Sequence, residues 1–231
     1  MSAPRRDVEF RPASDQSLLV YFDAKISLHA HQQVRTLLHV LASQPIAGVH
    51  NLHPAYCSLL VDFDPLKMTH ADLEAALRHC VEQLDELELP PPREIEIPAC
   101  YGGEFGPDLE EIAQAHGLSP DQVIELHSSV TYTVYFLGFV PGFAYLGELP
   151  EALVTPRLAS PRRTIVPGSV GVADNQTGVY PFATPGGWRL IGRTPIGMFR
   201  ADRESMSLLN IGDHVRFVPI SSAQFAATQE A

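Results

Sequence analysis

The sequence predicts a two-domain chain: a small α+β domain over residues 1–92, then a mainly-β barrel domain with short helices at its start over residues 93–231. Three observations carry this. The first hundred residues alternate strand-like runs with two capped helical stretches. A proline-rich break, Leu89–Arg93, follows them. From Thr131 onward helical periodicity vanishes, and short β-prone runs alternate with Gly and Pro.

Glu9–Phe22 opens as a strand, is interrupted by polar Ser14-Asp15-Gln16 and resumes at Ser17. Ser27 offers an N-cap for a helix over Leu28–Ala42, because its hydroxyl can accept from first-turn N–H groups that have no partner within the helix. Val34, Leu37, Leu38 and Leu41 give that helix its apolar face, and Pro45 and Gly48 end it. Val49–Phe63 reads as two strands about a His53–Pro54 turn. Thr69 caps a second helix through about Leu84, with Leu73, Ala76, Leu77 and Cys80 along one face. Glu94–Pro98 then completes β-α-β-β-α-β, the split β-α-β, ferredoxin-like arrangement of an antiparallel sheet with two helices on one face. In the second half a short helix covers Asp108–His116 and stops at Gly117. Another starts at Ser119-Pro120-Asp121-Gln122, with Pro at its first position, and runs to His127. The runs Thr131–Leu137, Thr164–Val166, Val170–Ala173, Trp188–Arg193 and His214–Ile220 are the strands of a small barrel.

Composition narrows the function. Of 231 residues, 45% are hydrophobic and 19% charged, sufficient for a sizeable core. A formal charge of −11 without Lys/Arg clusters argues against nucleic acid and anionic membranes as partners. No apolar region follows Met1–Asp7, and no stretch approaches the roughly 18 apolar residues that span a bilayer, so a cytoplasmic location is expected. Cys57, Cys80 and Cys100 are widely spaced and read as reduced, mostly buried thiols. The histidine spacings put no two ligands on one helical face, so no metal site is expected. Nucleotide-binding glycine loops and the nucleophile elbow are absent, and no complete catalytic set is evident within the chain.

The informative stretch is Leu137–Pro195. In Leu137-Gly-Phe-Val-Pro-Gly-Phe-Ala-Tyr-Leu146, the aromatics Phe139, Phe143 and Tyr145 are interleaved with glycines. They can wall a pocket or fill a barrel corner. Downstream lie Arg157, Arg162 and Arg163, then the hydrogen-bonding Gln176, Thr177 and Tyr180. Trp188 and Arg193 follow, with a Gly186–Gly187 turn whose N–H groups suit an anion. From His127 to Phe199 five arginines face three acids, a balance of +2 in a chain whose remainder carries −13. Arginine forks suit carboxylate and phosphate, so a small anionic ligand is expected. His127 at a helix C-terminus is favoured by the helix dipole, or serves as a proton carrier at the cleft mouth.

Leu137–Leu146, Gln176–Pro181 and Pro185–Pro195 resemble the signature of the family of 5-oxoprolinase B subunits, as do Cys100–Leu109 and Leu126-His-Ser128. That family also holds the Kip-type inhibitor of a sporulation histidine kinase and the allophanate hydrolase subunit 1 domain. The resemblance runs from about Val8 to Ile220. It implies that the second domain is a cyclophilin-like β-barrel. It also implies that the chain is the B component of a hetero-oligomer that, with A and C subunits, hydrolyses 5-oxo-L-proline to L-glutamate using ATP. The chain is then expected to be inactive alone, with the ATP site shared with its partners. Carried over residue by residue, the catalytic candidates are His127, Gln176 and Tyr180. The substrate-binding candidates are Phe139, Arg157, Arg162, Trp188 and Arg193. Met198–Met206 is less Pro-rich than the family pattern, which leaves that loop's form open. A regulatory protein that docks on a sensor histidine kinase is the alternative, and prolyl isomerisation follows only from the barrel type.

Overall fold

The computed structural model describes residues 8–84 and 87–229; the N-terminal reading of Met1–Asp7 lies outside them. Two compact units divide between Pro91 and Pro92. No helix among the described residues is long and apolar enough to cross a membrane.

In the first unit, β1 (Glu9–Ser14), β2 (Ser17–Tyr21), β3 (Val49–Pro54) and β4 (Ser58–Phe63) form one antiparallel sheet in the order β1-β2-β4-β3. Helices α1 (Leu28–Ser43) and α2 (His70–Glu82) begin where their caps predict. Ser27 accepts from Ala30 N–H, and Thr69 and Asp72 form a reciprocal capping box. Val40, Leu37 and Leu41 of α1 and Leu73 and Leu77 of α2 pack with Leu18, Val20, Leu59, Val61 and Phe63 of the sheet. His53 and Pro54 belong to β3 itself. The reversal falls on Ala55–Cys57, where Ala55 N–H donates to Ser58 O at 2.8 Å.

The expected sixth element of this unit is a correction. Glu94–Pro98 lies in β5 (Glu94–Tyr101), which belongs to the second unit and pairs there with two other strands. The place beside β2 is taken by β1, joined to it by a tight hairpin through Asp15 and Gln16. Closing so short a loop costs far less chain entropy than bringing back a strand from beyond α2.

The second unit contains α3 (Leu109–His116), α4 (Pro120–Ser128), β6 (Tyr132–Leu137), β7 (Ala144–Gly147), β8 (Arg162–Ile165) and β9 (Ser169–Ala173). It continues with β10 (Gln176–Val179), β11 (Thr184–Gly186), β12 (Arg189–Arg193), β13 (His214–Pro219) and α5 (Ser222–Gln229). Seven strands close a barrel in the order β10-β7-β6-β13-β5-β12-β9, while β8 and β11 form a separate two-stranded ribbon. Gly117 ends α3 with φ 66°, and Ser119 and Gln122 box the start of α4. The barrel interior is filled by side chains such as Ile97, Val134, Leu146, Val170, Val172, Val179, Ile191 and Phe217. Cys57, Cys80 and Cys100 are free thiols, and burial raises the pKa of each.

Each unit has its own core, so truncation should weaken one at a time. Leu59→Ala should cost the first unit about 2–5 kcal/mol, and Phe217→Ala should cost the second about 3–5 kcal/mol. Urea unfolding followed by a probe in each unit checks this.

Candidate active site

Strand alternation in the barrel wall prepares the site. In β9, Val170 and Val172 point into the barrel, while Gly171 and Ala173 face outward. In β10, Val179 points in and Gly178 faces out. Over these small outward residues sits a second apolar cluster, apart from the barrel core: Phe143, Ile165, Tyr180, Trp188 and Leu190. The fit is close. A Cβ on Gly178 would stand 2.8 Å from Ala144 O and 3.2 Å from both the Phe143 and Trp188 rings. One on Gly186 would meet Ile165 at 2.4 Å and the Tyr180 hydroxyl at 2.6 Å. Only glycine lets the aromatics lie this near the main chain.

Phe143 is the hub. It makes edge-to-face contacts with Tyr145 (5.0 Å between centroids), Tyr180 (5.2 Å), Trp188 (5.4 Å) and Phe139 (5.7 Å). These rings wall a cavity of about 260 Å³, completed by Arg157, Pro161 and the Pro185–Gly187 turn. Phe139 stands at its mouth, 60% exposed. Its backbone has φ 69° at the apex of a three-residue turn closed by Val140 N–H to Gly138 O at 2.8 Å. A bulky residue in that conformation is strained, and such strain collects at ligand clamps and active sites.

The electrostatics suit an anion with hydrogen-bond acceptors. Burial raises the Tyr145 phenol and lifts the Tyr180 phenol to about 12, while Arg157 pulls both back. The Trp188 main-chain N–H faces the Tyr180 oxygen. Both phenols therefore remain protonated donors. Arg157 is exposed at the rim, and its Nε is 3.4 Å from the exposed Asp174 carboxylate. A pair so open to water is weak and yields readily to a ligand.

Of the sequence-derived candidates, Phe139, Arg157, Tyr180 and Trp188 meet in this cavity; His127, Gln176, Arg162 and Arg193 do not line it. Gln176 lies buried in β10 between Gly147 and Ala173. Arg162 pairs with buried Asp108 at 2.6 Å. Arg193 donates to Glu104 O at 3.0 Å and stacks 5.4 Å over Phe105. The local excess of arginine is thus largely matched by partners outside the counted stretch, Glu111 on Arg189 among them. Phe143 and Tyr145 are members of the site that their types suggested but could not place. Asp108 gave no signal beyond a helix start and its place in the family-like stretch Cys100–Leu109.

His127 is a correction. It is 0% exposed inside the second unit, not at a cleft mouth. Thr177 Oγ1 donates to Gly171 O at 3.0 Å and so accepts from His127 Nε2–H at 2.9 Å; Tyr101 O–H then donates to Nδ1 at 2.8 Å. This neutral tautomer satisfies every group in the chain of bonds. Burial lowers the His127 pKa from 6.5 to about 3, so the ring is uncharged at neutral pH and keeps its single Nε2–H proton. Among the described residues no three His, Cys, Asp or Glu side chains converge as metal ligands.

The His127 shift has a consequence for stability. The unfolded chain binds a proton near pH 6.5 that the folded chain refuses down to about pH 3. Stability is therefore full above pH 6.5 and falls below it by up to about 1.4 kcal/mol per pH unit. Urea midpoints taken from neutral pH down to about pH 5 should fall more steeply for the native protein than for His127→Gln.

Comparison with known proteins places these features in context. The carboxyltransferase domain family, subdomain C and D, matches residues 8–209. The B subunit of 5-oxoprolinase from Bacillus subtilis (strain 168) is 41% identical over 234 residues, covering 94% of this chain and 94% of the relative. Its counterpart from Escherichia coli O157:H7, also a 5-oxoprolinase B subunit, is 44% identical over 205 residues, covering 89% and 93%. The crystal structure of TTHA0988 matches with a TM-score of 0.79 at 35% identity over 90% of this chain, which spans 40% of that protein's length.

Proposed function

The chain belongs to the family of 5-oxoprolinase B subunits, and from that premise we propose that it is the B component of an ATP-dependent 5-oxoprolinase, working with A and C subunits to hydrolyse 5-oxo-L-proline to L-glutamate. The observation that carries the reading is the cavity: a small aromatic-walled space with one open arginine at its rim and two protonated phenols on its walls. 5-Oxoproline has matching parts, a carboxylate and a compact five-membered lactam.

In this reading the Arg157 fork takes the carboxylate in place of Asp174. Phe143 and Trp188 cover the ring and exclude water. Tyr180 and Tyr145 orient the lactam through hydrogen bonds to its polar groups. ATP, held with the partner subunits, would pass its terminal phosphoryl group to the lactam oxygen with ADP leaving, and water would then open the ring to glutamate with release of phosphate. Tyr180 is the one expected catalytic residue that meets the cavity. His127, neutral and enclosed, holds the barrel interior together, and Gln176 belongs to the wall of the barrel. The proton transfers of hydrolysis then fall to water or to groups on the partners, and the subunit alone is expected to be inactive. The same fold occupies 40% of the TTHA0988 chain, which supports a piece that works beside others.

The test uses the reconstituted three-component complex. Arg157→Ala should raise KM for 5-oxoproline roughly 10- to 100-fold, the worth of one charge-assisted contact. Arg193→Ala should behave as the native enzyme, because Arg193 does not line the cavity and its Nη2 donates to Glu104 O beside Phe105. Native KM and turnover in Arg157→Ala would rule out the cavity as the substrate site.

A further inference from the structure

Asp108 stands where a helix cap would stand, yet it caps nothing. It immediately precedes α3, and its side chain makes no hydrogen bond to the helix's first-turn N–H groups. An aspartate in that place ordinarily accepts from them. Here both oxygens are committed elsewhere. Oδ1 takes Arg162 Nη2 at 2.6 Å, and Oδ2 takes the Leu190 main-chain N–H at 2.6 Å. The Asp108 N–H donates in return to Leu190 O at 2.9 Å. The residue is 5% exposed, and a carboxylate so enclosed persists only when its charge and lone pairs are matched.

Arg162 extends the chain of contacts. Its Nη1 reaches the Trp188 carbonyl at 3.5 Å. On the other side, Leu158 N–H donates to Gly187 O at 2.8 Å. The segment Gly187–Leu190, which carries the indole of the cavity, is held by these ties, by the pairing of Arg189 and Leu190 with β9 and by Arg189 on Pro156 O and Glu111; the ties at the Trp188 carbonyl and at Leu190 N–H run through Asp108. Trp188 supplies both a wall and the N–H that faces Tyr180. A shift in this segment moves both together. Asp108 is itself not among the residues that line the cavity.

We propose that Asp108 is the positioning residue of this cavity: through Arg162 and Leu190 it fixes Trp188, and thereby the bound substrate, without touching the substrate. The inference rests on the cavity's being the 5-oxoproline site.

Trp188 is the one tryptophan in the chain, so intrinsic emission reports this wall directly. In the ligand-free protein, Asp108→Asn should shift the emission to the red and make it more accessible to acrylamide. In the reconstituted complex, kcat/KM should fall roughly ten- to hundredfold, as expected for a misplaced contact surface. Arg162→Gln should act in the same direction, and the double variant should be little worse than either single, since the pair acts as a unit. Native emission and quenching in both single variants would overturn the proposal. So would additive losses in the double variant, which would mean that Arg162 meets substrate by itself. If Asp108→Asn does not fold, Arg162→Gln, at a half-buried side chain, carries the same emission and rate readouts. If Arg157→Ala leaves KM unchanged while Asp108→Asn still shifts the emission, the substrate reading fails and the positioning of Trp188 stands.

Discussion

The two ends of the second unit lie side by side. Strand β5 pairs in parallel with β13, from His214 against Glu94 to Pro219 against Ala99. Parallel neighbours cannot be joined by a hairpin and need a long crossover; here the crossover is everything from α3 to β12. The seam is reinforced at its start by Arg93, whose guanidinium grips the buried Asp213 carboxylate and the Leu208 carbonyl. Further along, His214 meets Glu94 and Arg216 meets Glu96 on the exposed side. Without this pairing the sheet would stay open between β13 and β5, and the strands beneath the cavity would lose their curvature.

A closed barrel gives every strand an inner and an outer face, and the molecule uses the two differently. Large branched residues fill the inside, with His127, Tyr101 and Thr177 as a satisfied polar chain within it. The outer faces of β9 and β10 carry glycine and alanine, which leaves depth for Phe143, Tyr180 and Trp188 to stack against the main chain. The cavity is thus built on the barrel, and its rigidity comes from the wall behind it. Its mouth is a strained turn, and its far wall is tied by Asp108 and Arg162 to the helix that follows β5.

Charge follows the same division of labour. Arginines adjacent in sequence serve different ends once folded. Arg162 points inward to a buried carboxylate, Arg189 pairs with Glu111, Arg193 lies over Phe105, and Arg157 is left at the rim of the cavity. A count along the chain finds the excess of positive charge but cannot assign it, because the matching acids Asp108 and Glu111 come from a helix more than fifty positions upstream of Arg162.

By itself the sequence determined what local chemistry can determine. Ser27, Thr69 and Ser119 start helices, Gly117 stops one, and the longer β-prone runs become strands, because caps and periodicity act within a few residues. It also held the family motifs and the aromatic and glycine-rich stretch from which the cavity is made. The short strands Ala144–Gly147 and Gln176–Val179 escaped notice, being too brief and glycine-containing for alternation to show. Tertiary structure alone decided the rest: that Glu94–Tyr101 closes the barrel and not the first sheet, that His127 is enclosed and neutral, and that Asp108 stands behind Trp188. Each of these depends on partners far apart in the chain, whose pairing is set by which edge is free and which charge is buried, and no local pattern records either.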